Sequence, residues 1–291
     1  MGHWRLTCIF LCTALGVSGL AAEPKITEDV IYGHKDGMAL TYDVFESEKP
    51  NGAGVIYMVS GGWFSIWQPP KNRVANFAPL LAEGFAVFAV HHGSAPRFKV
   101  PDAVSDVRAA VRHIRQNAES HGVDANRLGV WGGSAGGHLS LMLALNAEAA
   151  PGVAMGEGAR ARFMMPRYIS DSTSSGELAA VVAYYPPVDL RAVAGPNDRF
   201  PALNFDPEAA AAISPILFVT ENDPPTMLIH GDADDLVNIS NSHSLTAALE
   251  EKGVMHDLLV IEGGVHGFRD PERRARATAA MVAWFKAHLD P

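Results

Sequence analysis

The chain has 291 residues, of which 48% are hydrophobic and 19% charged, so it can bury a sizeable core in one large domain or two small ones. Its formal net charge is −9 and it has no long basic run, which argues against nucleic acid and anionic membrane surfaces as partners. Only two cysteines occur, Cys8 and Cys12, and both lie near the N-terminus.

The first 21 residues have the composition of an export signal. Arg5 precedes an apolar stretch that runs to Leu20, and small residues stand at the positions before a cut after Ala21. The stretch is short for a membrane-spanning helix of about 20 residues. We therefore predict a signal peptide over residues 1–21, a secreted or periplasmic mature protein, and no membrane contact after cleavage. The mature chain would contain no cysteine, which excludes disulfides, thiolate nucleophiles and cysteine metal sites.

Apolar and alternating runs predict eight strands, at residues 26–33, 38–45, 55–59, 85–90, 128–131, 181–185, 226–230 and 257–261. The first two form an antiparallel pair joined at Lys35-Asp36-Gly37. Helical patterns occur over residues 101–116, after Ser134, around 208–213, over 240–252, and from Pro271 onward behind a capping Asp270.

Alternating strands and helices are typical of a doubly wound sheet. We predict one α/β domain over residues 22–291, with a mostly parallel eight-stranded sheet and helices on both faces. Two segments interrupt the pattern, residues 151–179 and 191–223, and we interpret them as surface excursions near the active site. The first is rich in Gly and Ser, which is typical of a binding loop or a lid.

The stretch Gly132-Gly133-Ser134-Ala135-Gly136 contains the pattern Gly-x-Ser-x-Gly between a predicted strand and a predicted helix. A sharp strand-to-helix turn projects the serine hydroxyl from the top of the sheet, beside the exposed N–H groups of the helix. The pattern also occurs as an ordinary glycine-rich loop before a helix. The flanking strand and helix favour Ser134 as a nucleophile.

In open α/β sheets the functional site lies beyond the carboxyl ends of the strands. Ser134, the stretch His230 to Asp235, and the stretch Gly263 to Phe268 follow the fifth, seventh and eighth predicted strands, in the order Ser, Asp, His. We assign Ser134 as nucleophile, His266 as general base and then acid, and Asp234 as the carboxylate that orients the imidazole. Its neighbours Asp232 and Asp235 are alternatives for that carboxylate.

An oxyanion hole would complete this chemistry. Its predicted donors are the backbone N–H of Ala135 and that of Gly61 or Gly62, which follow another strand. Four aromatic side chains are candidate walls of a substrate pocket, or only packing residues: Trp63, Phe64, Trp67 and Tyr185. His91 and His92 also end a strand, but no acidic cluster accompanies them, so we expect neither a metal nor another cofactor.

From about Tyr42 to the C-terminus the chain resembles α/β-hydrolases. The resemblance is to carboxylesterases of the acetyl-xylan and feruloyl esterase (BD-FAE-like) group and, more distantly, to hormone-sensitive-lipase-like esterases. The segments that carry it are Ser60-Gly61-Gly62-Trp63, Gly132 to His138, Asp223 to Val237, and Gly264 to Phe268. In the His-Gly-x-x-Asp-x-x-Val segments of such enzymes the aspartate is the triad acid, which implies Asp234 here. One departure stands out: relatives usually carry His-Gly-Gly-Gly-Trp where this chain has Val59-Ser60-Gly61-Gly62-Trp63.

The resemblance implies a secreted serine carboxylesterase that acts through an acyl-enzyme on short-acyl or hydroxycinnamoyl esters, carried by small molecules or by polysaccharide. A peptidase of the prolyl-oligopeptidase type shares this catalytic domain but usually adds a large N-terminal propeller. A lipase would need a more apolar lid than residues 151–177. A catalytically dead binding protein is disfavoured by the three candidate catalytic residues. No pattern in the sequence predicts the oligomeric state.

Overall fold

The computed structural model describes residues 24–145 and 178–289. The predicted signal peptide and all but the last two residues of the 151–179 excursion lie outside the described residues, so both stay predictions. Within the described residues, no helix has the length and apolar character needed to cross a bilayer.

A single sheet of eight strands forms the centre of the fold: β1 (Lys25–Lys35), β2 (Met38–Glu46), β3 (Gly54–Met58), β4 (Ala86–Val90), β5 (Leu128–Gly133), β6 (Ala180–Tyr184), β7 (Thr226–Gly231) and β8 (His256–Ile261). The strand order is β1-β2-β4-β3-β5-β6-β7-β8. Pairing is antiparallel between β1 and β2 and between β2 and β4, and parallel across the rest of the sheet. The turn between β1 and β2 has positive φ at Asp36 (49°) and Gly37 (79°), as a two-residue hairpin turn requires.

Helices cover both faces of this sheet: α1 (Val74–Ala82), α2 (Val100–Asn117), α3 (Ala135–Ala144), α4 (Ser240–Lys252) and α5 (Pro271–Leu289). One apolar core lies between the sheet and α2, α3 and α4, and a second lies between the opposite face and α1 and α5. Strand β4 is buried along its whole length, which explains its uninterrupted apolar sequence. The predicted eight-stranded, mostly parallel sheet with helices on both faces is confirmed.

Two elements differ from the sequence predictions. Helix α1 was not predicted, because Pro79 stands inside it, although Phe77, Leu80 and Leu81 form a buried face at helical spacing. The short helix expected at residues 208–213 is a 3₁₀ segment, Pro207–Ile213, capped by the Asp206 carboxylate.

Candidate active site

The turn between β5 and α3 holds Ser134 in a strained conformation. Its φ is 55° and its ψ is −119°, a region that residues with a side chain rarely occupy. A Cβ on Gly132 would lie 2.5 Å from the backbone carbonyl of Gly136, so the chain can fold back this tightly only with glycine there. The Ser134 N–H donates to Tyr184 O at 2.9 Å, which ties the turn to β6. The strain therefore coincides with the predicted nucleophile.

Asp234 and His266 form a direct hydrogen bond. The Asp234 side chain is fully buried, and its Oδ2 accepts from His266 Nδ1 at 2.7 Å. Its other oxygen, Oδ1, accepts from the backbone N–H groups of Leu236 and Val237, each at 2.9 Å. Because a carboxylate can only accept, the proton of a neutral His266 lies on Nδ1 and the Nε2 lone pair remains available as a base.

A second buried histidine supports the loop that carries Asp234. His230 Nε2 lies 2.8 Å from Val237 O, and His230 Nδ1 lies 2.7 Å from the Ser242 hydroxyl. The carbonyl must accept, so Nε2 carries the proton and the Ser242 hydroxyl donates to Nδ1. Burial lowers the pKa of His230 and favours this neutral form. His230 therefore braces the turn from β7 to Val237.

Tyr185 lies between the serine turn and His266. Its ring centroid is 4.5 Å from that of His266, and its hydroxyl oxygen is 3.0 Å from the position that a Cβ on Gly133 would take. Tyr185 has a positive φ of 37°, and burial raises its pKa. In the described part of the chain the Ser134 hydroxyl forms no hydrogen bond with His266. Free enzymes often hold this pair beyond bonding distance until substrate binds.

The loop after β3 meets the start of α3. A Cβ on Gly136 would lie 3.0 Å from Met58 O and 3.3 Å from Ser60 O, so this loop approaches the helix backbone closely. Gly61 donates its N–H to Phe64 O at 3.0 Å and accepts one back from Phe64 N at 3.0 Å. This differs from the expectation that Gly61 is free to donate to an oxyanion. Among the described residues, the N–H groups of Gly62 and Ala135 have no such partner.

The four predicted pocket residues lie in different surroundings. Trp63 is only 5% exposed and packs in the core, where its Nε1–H donates to His138 Nδ1 at 3.4 Å. Phe64 is half-buried, whereas Trp67 is 55% exposed on the same loop. Trp63 is thus a packing residue of the loop base, and only Trp67 is widely open to solvent. Tyr185, the fourth, adjoins His266.

Two further residues at this edge were not found by the sequence reasoning. His138 is fully buried in α3, and its Nε2 lies 2.8 Å from Ile213 O. It therefore joins the predicted oxyanion loop (residues 59–65), through Trp63, to the 191–223 excursion. Burial lowers the pKa of His138 to about 4. The Phe200 ring lies 3.0 Å from the position of a Cβ on Gly62, a tight contact, and the positive φ of Gly62 (57°) also favours glycine there. The excursion is therefore packed over the predicted oxyanion loop, a long-range contact that no local pattern signals.

Of the two histidines considered above as metal ligands, His92 is hydrogen-bonded through both ring nitrogens, whereas the buried His91 Nε2 has no hydrogen-bond partner among the described residues. His92 Nδ1 lies 2.9 Å from Gly93 O and Nε2 lies 2.9 Å from the Ser60 hydroxyl. His91 Nε2 lies 3.6 Å from a carboxylate oxygen of Asp43. Within residues 24–145 and 178–289, no group of three or more His, Cys, Asp or Glu side chains is arranged to hold a metal ion.

Several relatives with known names are esterases. The chain is 28% identical over 271 residues to esterase LipC of Mycobacterium tuberculosis, covering 88% of this chain and 63% of LipC. It is 27% identical over 263 residues to an ethyl acetate hydrolase of Pseudomonas putida, covering 87% of this chain and 78% of the hydrolase. The chain spans less than two thirds of the length of the mycobacterial esterases that it matches.

The fold has close counterparts among solved structures. A truncated carbohydrate esterase from gut microbiota superposes with a TM-score of 0.71 at 25% identity, covering 93% of this chain and 98% of the esterase. This likeness confirms the α/β-hydrolase fold and the predicted resemblance to esterases of that fold. The profile of the BD-FAE family matches residues 43–249, a span that begins within β2, ends within α4 and contains both the Ser134 turn and the Asp234 loop. The chain therefore belongs to the BD-FAE family of α/β-hydrolases.

Proposed function

We propose that this protein is a serine carboxylesterase in which Ser134, His266 and Asp234 act as a catalytic triad. The single observation that carries the proposal is the buried carboxylate of Asp234 accepting the Nδ1 proton of His266 at 2.7 Å, at the sheet edge that also presents the strained Ser134. A hydroxyl, a base with a free lone pair and an orienting carboxylate are the parts that acyl transfer requires.

In this mechanism the Ser134 hydroxyl gives its proton to His266 Nε2 as its oxygen attacks the ester carbonyl. The oxyanion that forms accepts hydrogen bonds from the N–H groups of Ala135 and Gly62. His266 then returns the proton to the departing alcohol, and an acyl-enzyme remains on Ser134. Water, deprotonated by the same imidazole, attacks the acyl-enzyme and releases the carboxylic acid. Asp234 keeps its charge throughout and stabilises the imidazolium.

For substrates we propose short-acyl or hydroxycinnamoyl esters on small molecules or polysaccharide. The names of two relatives, an ethyl acetate hydrolase and a carbohydrate esterase, support this class. Phe200, packed beside Gly62, supports a short acyl group because it occupies space next to the proposed oxyanion donor. We further propose that residues 1–21 are a signal peptide, which would deliver the enzyme to the periplasm or the medium, where polysaccharide is met.

The test is a comparison of the purified protein with its Ser134→Ala variant. We expect wild-type hydrolysis of p-nitrophenyl acetate, and a loss on the order of a millionfold in kcat for the variant, because triad members act as a unit. A fluorophosphonate probe should attach to Ser134 of the wild type, as mapped by peptide mass spectrometry. Retained turnover in the variant, with an unchanged unfolding curve, would show that the nucleophile is elsewhere.

A substrate panel separates the esterase from its rivals. It consists of acetylated xylan, methyl ferulate, p-nitrophenyl esters of rising chain length, and a dipeptidyl amide. We expect kcat/KM to be highest for acetyl or feruloyl esters and to fall for long acyl chains. Cleavage of the amide but of no ester would establish the peptidase, and a rise with chain length would establish the lipase.

A further inference from the structure

Residues 90–95, at the end of β4 and just after it, hold the loop of residues 59–65, which contains Gly62. Five hydrogen bonds join residues 59–65 to residues 90–95: Val59 N to Val90 O (3.0 Å), Ser60 Oγ to His92 Nε2 (2.9 Å), His92 N to Ser65 Oγ (3.1 Å), Ser65 N to Ser94 Oγ (3.0 Å) and Ala95 N to Trp63 O (3.1 Å). The loop is therefore anchored along its whole length by one neighbouring segment.

The bond between Ser60 and His92 has a defined direction. His92 Nδ1 lies 2.9 Å from Gly93 O, and since a carbonyl can only accept, the proton of the neutral ring lies on Nδ1. Nε2 then carries a lone pair, and the Ser60 hydroxyl donates to it. His92 is 4% exposed, and its burial lowers the pKa to about 4, which keeps the ring neutral at ordinary pH. Both ring nitrogens are thereby satisfied.

Ser60 lies next to the proposed oxyanion hole, so its hydrogen bond to His92 affects the geometry of that hole. It directly precedes the two glycines, and its carbonyl oxygen lies 3.3 Å from the position of a Cβ on Gly136, in the first turn of α3. The same helix begins with Ala135, the other proposed donor. The place of Gly62 relative to Ala135 thus depends on how Ser60 is held. The glycine that relatives usually carry here has no hydroxyl and cannot make this bond.

We propose that Ser60 and His92 are positioning residues that fix the oxyanion loop of this enzyme through their shared hydrogen bond. The inference rests on the proposed function and deepens it. Donors aimed in advance at a developing charge stabilise the transition state more than the bound substrate. Loosening the loop should therefore lower kcat and leave KM nearly unchanged.

The decisive variant is Ser60→Ala, which removes the hydroxyl and little else. A net hydrogen bond of about 1 to 1.5 kcal/mol corresponds to a fall of roughly tenfold in kcat on p-nitrophenyl acetate. The affinity for a boronic acid that mimics the tetrahedral intermediate should fall by the same factor. Ser60→Thr, which keeps a hydroxyl, should retain kcat within about twofold. Ser120→Ala is the matched control. It removes a hydroxyl that donates to Asn117 O, in the segment that precedes the amino end of β5, at the edge of the sheet opposite to the site.

His92→Phe supplies the second side of a double-mutant cycle. We expect it to lower kcat at least as much as Ser60→Ala does, because it removes the shared bond and also the bond to Gly93 O. The double variant should be no worse than His92→Phe alone, because the shared bond is already lost there. Should His92→Phe fail to fold, the contrast between the alanine and threonine variants at residue 60 decides alone.

The two proposals fail in different ways. A wild type that hydrolyses no ester refutes the proposed function, and the positioning role falls with it. A wild type that is active while Ser60→Ala keeps its kcat within twofold overturns only the positioning role. A change in KM alone, or an equal loss in the threonine variant, would likewise overturn it and indicate contact with substrate or a general packing defect.

Discussion

Replacing Asp234 by Asn should separate the catalytic role of this residue from its structural role. The amide has almost the same volume, and its oxygen can still accept the two N–H bonds from Leu236 and Val237. Its NH₂ group then faces His266 Nδ1, which must become an acceptor and shift the proton to Nε2. In that tautomer His266 cannot take the proton of Ser134.

The expected loss in kcat follows from this change of tautomer. The wrong tautomer costs about 10⁴-fold in kcat in a serine-protease triad, or about 5.5 kcal/mol in the activation free energy. Stability should change little, because both part-buried N–H groups keep their acceptor. Asp234→Ala, in contrast, leaves both N–H groups unpaired, and each unpaired buried group costs about 1–3 kcal/mol in the free energy of unfolding. The two variants should thus be equally inactive and differ in stability.

The assay is steady-state hydrolysis of p-nitrophenyl acetate together with urea unfolding of the same preparations. Asp235→Asn is the matched control, since Asp235 is the exposed neighbour in the same turn. A kcat for Asp234→Asn within tenfold of the wild type would refute the assigned role. An equally large loss in Asp235→Asn would instead transfer that role to the neighbour.

Two predictions concern the frame of the site. Gly132→Ala places a Cβ 2.5 Å from the Gly136 backbone, so the turn must open. We expect the free energy of unfolding in urea to fall by about 1–3 kcal/mol, and kcat to fall as well. A variant as stable as the wild type would contradict the packing argument. His138 has a pKa of about 4 in the fold, below its value of about 6.5 in the unfolded chain, so the unfolded chain binds an extra proton between these values. Stability should accordingly be insensitive to this group above pH 6.5 and fall as pH drops toward 4. His138→Gln should reduce that slope by about 1.4 kcal/mol per pH unit, and equal slopes for both proteins would show that His138 is not buried as a neutral ring.

Local patterns were sufficient to predict the eight strands and the helices whose apolar residues are regularly spaced. A fully buried strand such as β4 reads as an uninterrupted apolar run, and α2 reads as an amphipathic helix, because burial imposes these periods directly. Helix α1 was missed because Pro79 stands inside it and proline is unfavourable in a helix interior, although its apolar residues have helical spacing. The position of Ser134 in a strained turn was also predictable, because Gly-x-Ser-x-Gly stands between a predicted strand and a predicted helix. The structure agrees, since a Cβ on Gly132 would lie 2.5 Å from the Gly136 backbone.

The sequence by itself thus determined the order along the chain of the eight strands and of the described helices other than α1. It also determined that Ser134, Asp234 and His266 follow the carboxyl ends of β5, β7 and β8. The sequence already assigned Asp234 as the partner of His266, and the two are hydrogen-bonded at 2.7 Å. Only the tertiary structure decided the contacts that no motif carries: Phe200 against Gly62, and the Ser60 hydroxyl on His92. These partners are separated by 32 to 138 residues along the chain. No periodic pattern encodes such pairings, because a hydrogen bond is selected by distance and direction in space, which depend on the packing of the whole sheet.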